Sequence, residues 1–201
     1  MQPREIRTVT VYGASSSAVS ERFRAAAFEV GVLIADQGWR QVNGGGHAGM
    51  MGAATDGALS RGGVVDAVIL DIFLGSVHPK LGDVVVKTNM HDRKRALFEE
   101  GDAFVVLPGG LGTMEELFEI VSWRQLEIHH RPIAILNLDG YFAPFVDFVG
   151  KGVDLGLISR SASETFKVCS EPQGLMHYLH NFERASIDKE AEPLADWNLP
   201  R

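Results

Sequence analysis

The chain has 201 residues, 45% hydrophobic and 22% charged, which suits one globular α/β domain with a sizeable core and requires no second domain. A formal net charge of −7 argues against a general nucleic-acid binder, because affinity for a phosphate backbone comes from clustered Lys and Arg. No run reaches ~18 uninterrupted apolar residues, and Met1-Gln-Pro-Arg-Glu has no apolar signal core, so no membrane partner is expected and a cytoplasmic location is.

In chain order, Ile6-Arg-Thr-Val-Thr-Val-Tyr12 predicts a strand, and Phe23, Ala26, Ala27, Val30, Leu33 and Ile34 share one face of the helix that follows. Residues 38–43 start a second such unit, and further strands are expected at 64–70, 83–87, 102–107 and 132–136. Phe142, Phe145, Val146, Val149 and Val153 mark a late helix, and residues 171–182 another. Between them, Thr165-Phe-Lys-Val-Cys169 reads as a strand, with the single cysteine as a packing residue. This alternation predicts a parallel sheet with helices on both faces, over residues 1–185. Residues 186–201 are polar, carry two prolines and lack periodicity, as expected of a mobile end or packed arm.

Ligands of such folds sit beyond the carboxyl ends of the strands, where the chain places residues 13–17, 44–49 and 108–113. Pro108-Gly-Gly-Leu-Gly-Thr-Met-Glu-Glu116 follows an apolar run and opens a helical pattern. Backbone N–H groups left over at such a helix start form an anion site. Arg93, Lys94 and Arg95 stand near the start of another helix, capped by Asn89. Cations there oppose the helix dipole by ~0.3–1 kcal/mol each, which points to a bound phosphate. The other reading is that Asp92, Glu99 and Glu100 neutralise a solvated face.

Gly44-Gly-Gly-His-Ala-Gly49 contains Gly-x-Gly-x-x-Gly between a strand and a helix, and Asp66 or Asp71 would supply the acid of a dinucleotide site. Dinucleotide folds use the loop after the first strand, however, and here that loop is Gly13-Ala-Ser-Ser-Ser17. Gly44, Gly45 and Gly46 suit close backbone approach to a phosphate or sugar, or a purely structural loop. Ser15 suits a hydrogen bond to the same ligand, or a helix cap.

Thr113-x-x-Glu116 fits a capping box, in which the glutamate turns back on the helix start. Helical spacing puts Glu115 on a stripe with Glu119 and Ser122, and Glu116 on one with Ile120 and Trp123. Glu116 therefore faces apolar neighbours and is the better catalytic candidate, a role that can coexist with capping. His129 and His130 point apart on a helix, and His177 and His180 lack a carboxylate at ligand spacing, so no metal or other cofactor is expected. The serines at 15–17 have no base and no nucleophile elbow.

Val11-Tyr-Gly-Ala-Ser-Ser-Ser17, Gly44-Gly-Gly-His-Ala-Gly-Met-Met-Gly52, Met90-His-Asp-Arg-Lys94, Pro108-Gly-Gly-Leu-Gly-Thr-Met-Glu-Glu116, Ser122-Trp-Arg-Gln-Leu-Glu-Ile-His129 and Asn137-Leu-Asp-Gly-Tyr141 together resemble the LONELY GUY family. These are the cytokinin riboside 5′-monophosphate phosphoribohydrolases. The resemblance covers roughly residues 8–179. It implies a Rossmann-like homodimer that hydrolyses a nucleoside 5′-monophosphate, AMP in many bacterial relatives, to free base and ribose 5-phosphate. It further implies Arg93 and Glu116 as catalytic residues, with ligand contacts from Lys94, Gly109, Gly110, Gly112, Thr113 and Ser122. One departure is that Phe73-Leu-Gly-Ser-Val-His-Pro79 carries no acid where relatives usually have a glutamate, which leaves the base preference open. The old label "lysine decarboxylase" for similar sequences finds no pyridoxal-phosphate lysine signal.

Ribosyl cleavage develops oxocarbenium charge, which a carboxylate on that face stabilises. In this reading Glu116 orients or deprotonates water, Arg93 fixes ligand and carboxylate, and Lys94 with the glycine-loop backbones holds the 5′-phosphate. The rivals are a nucleotide-binding or carrier module without turnover and a nicotinamide-dependent oxidoreductase resting on Gly44-x-Gly-x-x-Gly49. A second apolar stripe along the Glu116 helix suits a two-fold contact.

Overall fold

A computed structural model describes residues 5–182, so the expected tail at 186–201 lies outside the described residues. The elements in chain order are β1 (Thr8–Tyr12), α1 (Glu21–Asp36), β2 (Arg40–Asn43), α2 (Gly49–Ser60), β3 (Val65–Leu70), β4 (Val84–Lys87), α3 (Met90–Glu100), β5 (Ala103–Val106), α4 (Leu111–Gln125), β6 (Ile133–Leu136), α5 (Ala143–Asp154), α6 (Arg160–Ser163), β7 (Lys167–Cys169) and α7 (Pro172–His180). Short 3-10 turns at Asp71–Ser76 and Leu138–Gly140 complete the elements of the described residues. Neither these turns nor α6 were readable from periodicity, because each is too short to show one.

β-branched and aromatic residues dominate β1, which is buried along its whole length. The seven strands form one parallel sheet in the order β4-β3-β2-β1-β5-β6-β7. Thr8 pairs with Arg40 on one side of β1, and Val9 with Ala103 on the other. Strand order reverses between β1 and β5, which opens a crevice at their carboxyl ends.

Side-chain alternation splits the core in two. Val9, Val11, Val105 and Leu136 pack under α1, α2 and α7, whereas Tyr12, Phe104, Val106 and Ile135 pack under α3, α4 and α5. The first two helices touch backbone to backbone: a Cβ on Gly31 would lie 1.9 Å from the Ala54 carbonyl oxygen, and one on Gly57 2.0 Å from that of Phe28. That contact fixes where α2 begins, beside the crevice. Among the described residues, no helix is long and apolar enough to cross a membrane.

Candidate active site

Asn89 stops the chain in extended backbone, and its side chain accepts from the Asp92 N–H at 2.9 Å, so α3 starts at Met90 as the sequence implied. Leu97 and Phe98 bury the helix against the sheet. Arg93, one turn in, is thereby laid over the carboxyl ends of the strands. Its Nε donates to the Val68 carbonyl at 3.2 Å and its Nη1 to Glu116 Oε1 at 3.2 Å. Gly44 makes room for the same guanidinium: a Cβ there would stand 2.3 Å from Arg93 Nη2. β2, β3, α3 and α4 thus converge on one ion pair.

The pair is nearly sealed, with the Arg93 and Glu116 side chains only 13% and 11% exposed. Burial pushes the Glu116 carboxyl up to about 7, although Arg93 pulls the other way through charge and hydrogen bond. Glu116 therefore lies near the middle of its titration at neutral pH, as suits a group that exchanges a proton. The capping box is not formed. Gly110, in extended backbone, precedes the helix without a side-chain cap, Thr113 is the third helical residue, and Glu116 reaches across to Arg93. Of the two readings of Glu116, the stripe argument is the one the geometry follows.

Lys94 lies elsewhere than Arg93. Its buried Nζ donates to Glu115 Oε1 at 2.9 Å and Glu119 Oε1 at 3.0 Å, clasping α3 to α4. The sequence reading gave Lys94 to the phosphate and left Glu115 in solvent; helical spacing alone does not reveal that α3 runs close enough to α4 to join them.

The Gly44–Gly46 turn is held from within. The Gly45 N–H donates to Asn43 Oδ1 at 2.8 Å, the Gly46 N–H meets Met51 Sδ at 3.3 Å, and Gly45 sits at φ +83°. With the amides of Gly45 and Gly46 engaged, this loop offers space beside Arg93 more than donors. His47 and His78 N–H groups bind the Ser76 and Gly45 carbonyls, so the acid-free segment after β3 straps the same turn. Ser15 is exposed near Gly46.

At the start of α4, Gly110 and Gly112 have open surroundings, while a Cβ on Gly109 would strike Thr113 Oγ1 at 2.1 Å. The N–H groups of Leu111, Gly112 and Thr113 have no acceptor inside the helix, which leaves them to an anion. Ser122 lies farther along α4, exposed, with its hydroxyl donating to the Glu119 carbonyl at 3.0 Å, outside this cluster. Sequence reasoning missed one neighbour, Tyr141, whose hydroxyl donates to the Gly109 carbonyl.

Among the described residues, no three of His, Cys, Asp and Glu gather as a metal site. His129 is a core residue. Its Nε2–H donates to the Ile120 carbonyl at 2.8 Å and its Nδ1 accepts from the Arg131 N–H at 3.2 Å, with Phe98 and Phe104 packed edge to face against it. Cys169 is half-buried and packs against the α1 side of the core, where burial pushes its thiol up.

Residues 51–179 match the family model described as possible lysine decarboxylase. The chain is 38% identical, over 96% of its length and 79% of the relative's, to a probable cytokinin riboside 5′-monophosphate phosphoribohydrolase, LOGL5, of Oryza sativa subsp. japonica. The chain belongs to the LONELY GUY family. A second LONELY GUY relative, cytokinin riboside 5′-monophosphate phosphoribohydrolase LOG7 of Arabidopsis thaliana, is 33% identical over 88% of the chain and 82% of its own length. Solved structures share the fold. A molybdenum cofactor binding protein of Rippkaea orientalis superposes with a TM-score of 0.69 at 19% identity, over 88% of this chain and 96% of that one. The Moco carrier protein of Chlamydomonas reinhardtii gives 0.67 at 19%, over the same shares. The family-model match contains both Arg93 and Glu116.

Proposed function

We propose that the chain is a nucleoside 5′-monophosphate phosphoribohydrolase that releases free base and ribose 5-phosphate. The sealed Arg93–Glu116 pair, set beside the open start of α4, carries this reading. The phosphate lies on the first N–H groups of α4, and its binding energy positions the ribose against Glu116. The bond from C1′ to the base nitrogen breaks with its electron pair leaving on the base. Glu116, as carboxylate, stabilises the cationic sugar and takes a proton from the water that adds at C1′. The departing base takes up one proton in turn, and release of the proton from Glu116 restores the carboxylate. Arg93 holds Glu116 in place, and Lys94 holds the α4 turn that carries it.

The test sets AMP and isopentenyladenosine monophosphate beside their unphosphorylated nucleosides, with free base detected chromatographically. Release from the monophosphates, little from the nucleosides, and undiminished rates in excess EDTA are expected. Equal rates on AMP and adenosine overturn the phosphate assignment, and AMP binding without release of base favours a carrier. Exposed Leu111 and Phe118 on α4, with Phe148 stacked edge to face on Phe118, support a homodimer through this face. A monomer mass by light scattering at micromolar protein overturns that assignment.

A further inference from the structure

The Asn137-Leu-Asp-Gly-Tyr141 motif has no part in the chemistry above. It forms the corner between β6 and α5, where the Asn137 N–H donates to the Cys169 carbonyl at 2.8 Å and Asn137 Oδ1 accepts from the Phe142 N–H at 2.6 Å. Asp139 at φ +52° and Gly140 at φ +74° both occupy the left-handed region, which costs a non-glycine residue on the order of 1 kcal/mol or more. Arg22 of α1 holds Asp139 there through an ion pair at 2.5 Å. This strained, braced corner delivers Tyr141, whose hydroxyl donates to the Gly109 carbonyl at 2.5 Å.

The consequence follows from peptide planarity. In a trans peptide the carbonyl and the next N–H point to opposite edges of one plane. A Gly109 carbonyl held toward Tyr141 therefore turns the Gly110 N–H away from it. The preceding peptide is set in the same manner, because the Ala14 N–H donates to the Pro108 carbonyl at 3.1 Å. Gly110 needs such external control, since an added Cβ would meet nothing within 4 Å and no side chain limits its rotation.

We infer that Tyr141 is a positioning residue that aims the Gly110 N–H at the substrate phosphate by holding the Gly109 carbonyl on the opposite edge. The inference rests on the proposed reading of this loop as the phosphate site.

Tyr141→Phe removes one hydroxyl and keeps the ring. By calorimetry, inorganic phosphate and ribose 5-phosphate should bind the variant about five- to tenfold more weakly than the parent, the scale of one hydrogen bond between uncharged groups. The KM for AMP should rise by the same factor at nearly unchanged kcat, with the melting temperature within about one degree, a split that a merely structural role does not produce. Equal phosphate affinity in parent and variant overturns the inference, as does a loss of kcat at constant KM. A parent that binds phosphate but releases no base overturns the proposed reaction instead, while the calorimetric comparison still decides the role of Tyr141.

Discussion

Beneath α1, α2 and α7 the sheet meets apolar side chains and a few uncharged polar ones, Gln41, Asn43 and Thr55; beneath α3, α4 and α5 it meets Arg93, Lys94, Glu116, Arg124 and His129. The first face is held by shape, with Gly31 and Gly57 letting two helix backbones touch. The second is held by partnered charge at both ends, with Arg93, Lys94 and Glu116 where the loops after β2 and β5 open, and Arg124 and His129 at the amino end of β6. A rigid, nearly uncharged face thus supports one whose electrostatics are strained. The cost of desolvating Glu116 is borne where the proposed reaction uses it as a base.

Glu116→Gln challenges this contrast most severely. Turnover should fall by on the order of 10²–10⁴, while melting stays near parental because the amide oxygen still accepts from Arg93. Glu115→Gln should change the rate less than about threefold. For the parent, kcat/KM should fall tenfold per pH unit below about 7, as Glu116 takes up a proton and ceases to be a base. Parental base release by Glu116→Gln removes Glu116 from the mechanism.

Arg93→Ala should abolish turnover and also destabilise, since it leaves a buried carboxyl without its partner. At pH 8 the loss should approach ~3–5 kcal/mol. At pH 5 it should be smaller, because Glu116 is then protonated and no unpaired charge is buried. Equal destabilisation at the two pH values, by thermal melting, contradicts the burial argument.

On the other face, Gly31→Ala forces a Cβ to within 1.9 Å of the Ala54 carbonyl oxygen. A loss of ~1–3 kcal/mol is expected, with turnover per folded molecule retained below the melting range. A parental melting temperature shows that α1 and α2 can slide apart. The mildest change runs in the opposite direction. Gln41 is fully buried with neither amide atom partnered among the described residues, so Gln41→Leu should raise stability by about 1 kcal/mol and leave kcat alone.

What the sequence displayed was whatever recurs with a local period or a local cap. β1, the Asn89 cap and the Glu116 stripe depend on neighbours within one turn or one strand, and all are found where expected. The Thr113 capping box failed because its premise, a helix beginning at Thr113, depends on where β5 releases the chain. Gly110 takes extended backbone at the cap position, three residues before the Thr113 that the box would place there. The Lys94 clasp and the reach of Tyr141 to Gly109 join residues 21 and 32 positions apart, and only the crossing of α3 over α4 and the corner after β6 bring them together.

Glu116 and His129 lie on the same face and are displaced in opposite senses. Burial lifts the carboxyl from 4.5 to about 7 and, chiefly by the same desolvation, lowers the imidazole from 6.5 to about 4. Between pH 4.5 and 6.5 the folded chain keeps a proton on Glu116 that the unfolded chain has released, which favours the fold less as pH rises. Over that same span the unfolded chain holds a proton on His129 that the folded chain lacks, which favours the fold more as pH rises. Unfolding in mild acid therefore hands one proton from carboxyl to imidazole and takes up almost none from the buffer. Through these two groups the molecule is buffered against acidification by their pairing, a property that neither side chain has alone.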